Sequence, residues 1–352
     1  MGSAREAFLL ALLLCFHALP LECRGGKLPV EASAKKPLFN AVLKRILVSI
    51  ILGVASGLAG AVVFLFLVRF VVLYLNRTPL RKGPVVFSLK TSPASLQSAI
   101  ENDCVLLGSK YYKACLDGGL TIAVKKLDPF EGNSRKSFKR RIQKEMEILA
   151  GVRHCNLMTL RAYISSPDKF SVVYDYLPNG SLDDAMNKVR ENQLHLGWDM
   201  RQQIAVGIVK CLRFLHFECS PRILHYNLKP SNVLLDAELQ PRLTDAGYSM
   251  FYMGVSPYSA PEFVQARRYT EKSEIYSFGM ILAVLLTGRD PSEAFFKEEN
   301  CGGGMAQWLR QLQVEGEAKE ALRIAVVCLS ELPADRPCSD ELVPMLSRLH
   351  SF

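Results

Sequence analysis

The sequence predicts an α+β fold of two lobes preceded by a single transmembrane helix. Three observations carry this prediction. Twenty-three residues from Ile46 to Val68 contain no charge. Short β-branched runs and one amphipathic helical pattern then share the stretch from about Asn102 to Leu177. Helical patterns dominate after that, to the end of the chain.

The bulk composition is compatible with a full core. Of 352 residues, 49% are hydrophobic and 22% charged, which excludes disorder as the default state. Lys and Arg number 43 against 34 Asp and Glu. No basic stripe is interleaved with aromatics, so nucleic acid is not an expected partner; basic residues flanking an apolar span suit an anionic membrane face. The ten cysteines include no C-x-x-C pair, which argues against both zinc and a disulfide framework. Eight of them follow Lys90, as expected of reduced thiols in a cytosolic domain.

Residues 1–23 have the layout of a secretory signal peptide: Arg5, an apolar core from Phe8 to Leu19, then Pro20 and small or polar residues. Glu6 spoils an N-myristoylation motif and Glu22 a lipobox-like one. Residues 24–45 form a short extracellular stub. Residues 46–75 are the transmembrane helix and its boundary, since 23 uncharged residues make about 34 Å of helix, enough to cross the hydrocarbon core. Flanking charges nearly balance (Lys35, Lys36, Lys44 and Arg45 before; Arg69, Arg77, Arg81 and Lys82 after), so the signal peptide sets the orientation. A cleaved signal and one stop-transfer span give a type I protein with residues after Arg69 in the cytosol. The sequon at Asn76 then lies on the cytosolic side and reads as chance. Gly53 and Gly57 form a G-x-x-x-G, extended by Ser56, Gly60 and Ala61, a small-residue stripe on which two membrane helices can approach closely.

Residues 76–101 are read as a juxtamembrane linker and 102–352 as the folded domain. "LTIAVK" (Leu120–Lys125) is a strand after the turn at Asp117, and "FSVVYDYL" (Phe170–Leu177) is a second strand ended by "PNGS". Between them Phe138, Ile142, Met146 and Leu149 recur at helical spacing. The apolar "IYSFGMILAVLLTG" (Ile275–Gly288) is too short to span a bilayer and predicts a buried core helix.

Several motifs now fall in one order: Ile122-Ala123-Val124-Lys125, "RHCNL", "VVYDYLPNGSL", "LKPSNVLLD", Asp245-Ala246-Gly247, Ala260-Pro261-Glu262, "KSEIYSFG" and a late "DRP" with Arg336. From Asn102 to about Leu349 the chain resembles a plant receptor-like protein kinase domain. The resemblance implies a two-lobed kinase-like fold and assigns roles by position. Lys125 would grip nucleotide phosphates, with Glu145 as its ion-pair partner. Asp245 and Asn232 would hold magnesium, and Lys229 would lie beside the transferred phosphoryl group.

Other parts are missing. The glycine-rich loop before the strand lysine is represented by "LLGSKYYKACL", in which Gly108 can serve as the first glycine, two more are absent, and about four residues are lost. This predicts that Mg-ATP binds weakly if at all, and that no cofactor is required. Asn227 stands where the catalytic aspartate is expected, and an amide cannot accept the substrate's proton; losing a positioned base costs about 10²- to 10⁴-fold in rate. Tyr226 replaces the loop arginine, Ala246 the D-F-G phenylalanine, and Val255 a threonine. The coupled losses favour a pseudokinase over a weakly active serine/threonine kinase, with a nucleotide sensor without turnover as a third reading. The resemblance further implies a plasma-membrane subunit, assembled in the endoplasmic reticulum, that pairs through its transmembrane helix with a leucine-rich-repeat receptor-like protein. Self-association and contacts with other receptor kinases belong to the same expectation. So does a role in CLE-peptide (CLAVATA-type) signalling and meristem maintenance.

Overall fold

The structure, a computed structural model, describes residues 35–75, 83–87, 92–102, 105–107, 111–116, 119–127, 135–165, 170–251, 254–293, 304–312 and 317–350. The expected signal peptide, most of the expected stub, the sequon at Asn76 and Gly108 lie outside them. The chain divides into two units, residues 1–77 and 78–352.

Among its described residues, the first unit has one helix, α1 (Lys35–Leu75), of 41 residues. Within Val42–Tyr74 the most apolar window has a mean hydropathy of 2.5, and none of that window is buried. The helix is long and apolar enough to cross a membrane. It starts earlier than the expected boundary at 46, so residues 35–45 of the expected stub are helical. Nothing in them breaks a helix: Pro37 falls in the first turn, where a missing N–H has no intrahelical acceptor to lose.

The second unit opens with a six-stranded antiparallel sheet, in the order β1-β5-β6-β4-β3-β2. Its strands are β1 (Gly83–Val86), β2 (Val105–Leu107), β3 (Tyr111–Cys115), β4 (Thr121–Leu127), β5 (Ala162–Ser165) and β6 (Phe170–Asp175). Helix α2 (Pro93–Asn102) lies between β1 and β2, and α3 (Arg135–Leu149) between β4 and β5. The segment expected as a linker is therefore folded over part of its length. Val85 and Val86 pair with Tyr163 and Ala162 of β5. On α2, Leu96 and Ala99 are buried one helical turn apart, in a cluster with Ile122 and Val124 of β4. Ser92 Oγ accepts the Ser95 N–H at 3.0 Å, and Pro93 opens the helix, a start signal legible in the sequence.

The helical lobe follows: α4 (Leu182–Arg190), α5 (Trp198–Arg213), the two-stranded β7 (Val233–Leu235) and β8 (Pro241–Leu243), α6 (Pro261–Ala266), α7 (Glu271–Thr287), α8 (Gly304–Gln311), α9 (Glu317–Cys328) and α10 (Ser339–Ser347). Helix α7, which carries the predicted core helix, is buried along most of its length and packs on α5 and α9. Gly279 permits the second contact, since a Cβ there would lie 2.7 Å from Cys328 Cβ. The "PNGS" turn sets the start of α4. Gly180 has φ +68°, and Ser181 and Asp184 cap each other's backbone N–H.

Candidate functional site

The cleft between sheet and helical lobe is built from strand alternation. In β4, Ile122 and Val124 face α2, which leaves Ala123 and Lys125 on the opposite, cleft face. The register pairs Lys125 with Tyr111 of β3, so these two side chains share that face. The Lys125 ammonium lies 5.1 Å from the centre of the Tyr111 ring, a cation–π contact, and its partner is the Asp245 carboxylate.

Asp245 follows β8 with a left-handed backbone, φ +70°, and Gly247 follows at φ +78°. Asp245 is 3% exposed. Its Oδ2 accepts from Lys125, while Oδ1 accepts from the hydroxyls of Thr244, at 2.8 Å, and Tyr248. The Tyr248 hydroxyl lies 3.2 Å from that of Tyr174 on β6, and burial pushes the Tyr174 phenol up to about 12. Ala246 is buried, and the neighbouring buried aromatic on this segment is Tyr248.

The loop "LHYNLKPSN" is braced from within. His225 is fully buried, and that burial pushes its imidazole down to about 4, so it is neutral near pH 7. Tyr226 has φ +68°, a costly conformation for a bulky residue. Its N–H donates to Glu274 Oε1 at 2.9 Å; Glu274, 0% exposed, meets His216 Nε2 with its other oxygen at 2.7 Å, and His216 Nδ1 lies 3.0 Å from Ser339 Oγ. Sequence reasoning missed this support from Glu274 and His216, although a charged residue inside the apolar "KSEIYSFGMILAVLL" was a signal for a buried partner. Asn232 Nδ2 donates to the Asn227 carbonyl at 2.7 Å, and the Asn232 carbonyl accepts the Thr244 N–H at 3.0 Å.

A cavity of about 450 Å³ occupies the cleft, lined by Tyr111, Ala123, Lys125, Asn227, Lys229 and Asn232, with Asp183 and Asp184 of α4. Four predicted site residues thus converge there. Gly108 lies outside the described residues, but the register pairs Leu107 with Tyr111, so only residues 108–110 connect β2 to β3. Glu145 lies half-buried on α3, and the ion pair that the structure shows for Lys125 is with Asp245. Val255, 53% exposed, presents no hydroxyl to the loop.

Both Asp245 oxygens already accept from protein donors and Lys125 is paired with Asp245, so magnesium and phosphate would have to displace these bonds. On α1 the stripe of Gly53, Gly57 and Gly60 is open, for a Cβ at each would meet nothing within 4 Å. The Ser56 hydroxyl is turned onto the Gly53 carbonyl at 3.0 Å.

The protein kinase domain family matches residues 108–346. The inactive leucine-rich repeat receptor-like protein kinase CORYNE of Arabidopsis thaliana is 55% identical over 81% of this chain and 79% of its own length. The LRR receptor-like serine/threonine-protein kinase FEI 2 of the same plant is 34% identical over 75% of this chain, which spans 48% of that relative. Among solved structures, the pseudokinase domain of BIR2, an immune regulator of the RLK/Pelle family, superimposes with a TM-score of 0.60 at 25% identity. That match covers 78% of this chain and 92% of the other. With a kinase-domain match over well more than half its length and a largely spanned inactive relative, the chain belongs to the receptor-like protein kinases, among their pseudokinases.

Proposed function

We infer that this chain is a membrane-anchored signalling subunit that works by assembly and not by phosphoryl transfer. The observation that carries the reading is the cleft itself. Asn227 sits at the base position, and Asp245 is closed off by Lys125, Thr244 and Tyr248. Phosphoryl transfer relies on positioning and on metal-borne charge stabilisation, and this site offers neither a base nor a free metal carboxylate. Helix α1 supplies the anchor, in the plasma membrane, with the kinase-like domain cytosolic. The stripe of Gly53, Gly57 and Gly60 supplies a face for pairing with a leucine-rich-repeat receptor-like protein. The likeness to CORYNE supports a place in receptor signalling, and CLE-peptide perception with control of meristem size is the role we assign to it.

Two measurements on the full-length chain in lipid nanodiscs test this. Radiolabelled phosphotransfer should stay at the protein-free blank; incorporation that is lost in Lys229→Met would refute the non-catalytic reading. Gly53→Leu with Gly57→Leu should weaken co-purification of a coexpressed leucine-rich-repeat receptor-like protein and leave the melting of the cytosolic domain unchanged. Undiminished co-purification removes this face as the pairing site.

A further inference from the structure

We propose that Tyr111 is a built-in stopper at the Lys125 end of the cleft, standing beside the cavity where phosphates would meet that lysine and tying the two lobes together without any ligand. The inference rests on the pseudokinase reading and goes beyond it, because a site can lose its base and still bind nucleotide. Three observations converge on this residue. The β3–β4 register forces its side chain onto the cleft face, directly opposite Lys125. Its ring lies under the ammonium that a phosphate would have to meet, 5.1 Å from the ring centre. Its hydroxyl crosses to the Thr244 hydroxyl at 3.1 Å, a bond from the sheet lobe to the segment that carries Asp245.

From Thr244 the network continues through Asp245 to Lys125 on one side and to Tyr248 and Tyr174 on the other. Sheet strands β3, β4 and β6 are thereby fastened to one turn of the helical lobe. Burial pushes the Tyr111 phenol well above its ordinary range, so at cytosolic pH it stays a neutral hydroxyl able to share a proton with Thr244. A nucleotide would have to swing the ring out, part Tyr111 from Thr244 and part Lys125 from Asp245 before its phosphates reached Lys125. Apparent affinity falls in proportion to the population of such an open form, so an opening of about 1% weakens binding about 100-fold. The same bonds keep the lobes in one arrangement, and a partner meets that surface whatever the nucleotide supply.

The test titrates full-length protein in nanodiscs with a fluorescent methylanthraniloyl-ATP and Mg²⁺. Wild type should show no saturable binding and no rise in melting temperature up to about 1 mM, since a native-state ligand stabilises by mass action. Tyr111→Val, which empties the space, should bind saturably and at least about tenfold more tightly than wild type. Tyr111→Phe keeps the ring but cuts the tether; it should bind between the two and melt below wild type without nucleotide. Saturation of wild type below about 100 μM overturns the proposal, as does a cooperatively melting Tyr111→Val that stays unbound at about 1 mM. Should Tyr111→Val fail to melt cooperatively, the decision passes to Tyr111→Phe. Binding and melting both equal to wild type overturn the tether, and a weakened melt with gained binding upholds it. Nucleotide binding by wild type without phosphotransfer removes the stopper and leaves the pseudokinase standing, whereas phosphotransfer removes both.

Discussion

Replacing Lys125 by methionine separates a catalytic lysine from a structural one. Lys125 and Asp245 are 7% and 3% exposed and form a direct ion pair. Methionine preserves most of the stem's packing but leaves Asp245 as a buried carboxylate held only by the Thr244 and Tyr248 hydroxyls. Breaking a buried pair from one side costs about 3–5 kcal/mol, because the remaining charge is uncompensated. Two hydroxyl donors remain on Asp245, which places the expected loss at the low end, about 3 kcal/mol. At about 2–4 °C per kcal/mol for a domain of this order of size, the melting temperature should fall by about 6–12 °C. Adding Asp245→Asn removes the second charge while an amide oxygen can still accept from the hydroxyls. The double variant should regain more than half of the loss, a coupling energy of about 1.5 kcal/mol or more. Intrinsic-fluorescence melts of the full-length chain in nanodiscs, without nucleotide, read all four corners of the cycle. A Lys125→Met melt within about 2 °C of wild type, or a double variant as unstable as the sum of the singles, would refute the argument. The result also governs how a signalling defect in a Lys125 variant is interpreted, because a loosened cleft produces one without any loss of catalysis.

Two further perturbations probe other parts of the frame. Burial depresses His225 to about 4, so as pH falls below the ordinary value of about 6.5 the unfolded chain takes up the proton first. Stability present above about pH 6.5 should be lost progressively toward about pH 4, by about 3 kcal/mol in all. Glu274 opposes this depression and Lys125 adds to it. Melts at several pH values should show a steeper loss in wild type than in His225→Gln; equal slopes would exclude a neutral buried imidazole. Gly279→Ala should cost about 1–3 kcal/mol through overpacking, because its Cβ would lie 2.7 Å from Cys328 Cβ and 3.1 Å from Leu329 Cγ. A wild-type melting temperature in that variant would contradict the close crossing of α7 and α9.

The parts of the fold that were legible in the sequence owe their form to local pattern. The run Leu120–Lys125 lies in β4 (Thr121–Leu127), Phe170–Leu177 in and just past β6 (Phe170–Asp175), and the apolar run from Ile275 in α7. Each announces itself by alternation, by helical spacing or by unbroken hydrophobicity. β1 escaped because its four residues become a strand only by pairing with β5, whose first residue is 76 positions past Val86. Helix α2 escaped because Leu96 and Ala99 make a stripe too narrow to stand out, although Ser92 and Pro93 marked its start. In the site, residue types placed Lys125, Asn227, Lys229 and Asn232 around one cleft. They did not show who pairs with whom. Tyr111 reads as a lost glycine in the sequence, and its bond to Thr244, 133 residues away, exists only in three dimensions. The pairing of Lys125 with Asp245 was hidden for the same reason, because the two lie 120 residues apart in the chain.

A broken site that keeps Lys125, Asn232 and Asp245 poses the question of what retains them. The structure gives each a task independent of phosphoryl transfer. The Asn232 amide joins the loop to the Asn227 carbonyl; the main-chain oxygen of Asn227 serves that bond equally well with an aspartate or an asparagine side chain. Asp245 is the shared acceptor of three donors from two lobes, and Lys125 neutralises it. Removing any one of these leaves a buried polar group without its partner, a cost of about 1–3 kcal/mol or more. The substituted positions carry no such penalty. The loop bond to Asn227 uses its backbone, Ala246 fits its buried position with a single methyl, and Val255 is largely exposed. Surviving catalytic residue types therefore argue for a rigid two-lobed frame as strongly as for residual chemistry. The Lys125–Asp245 cycle is informative because a nucleotide-gripping lysine and a frame-holding one differ in sign: only the second makes the second charge removal restore what the first took away.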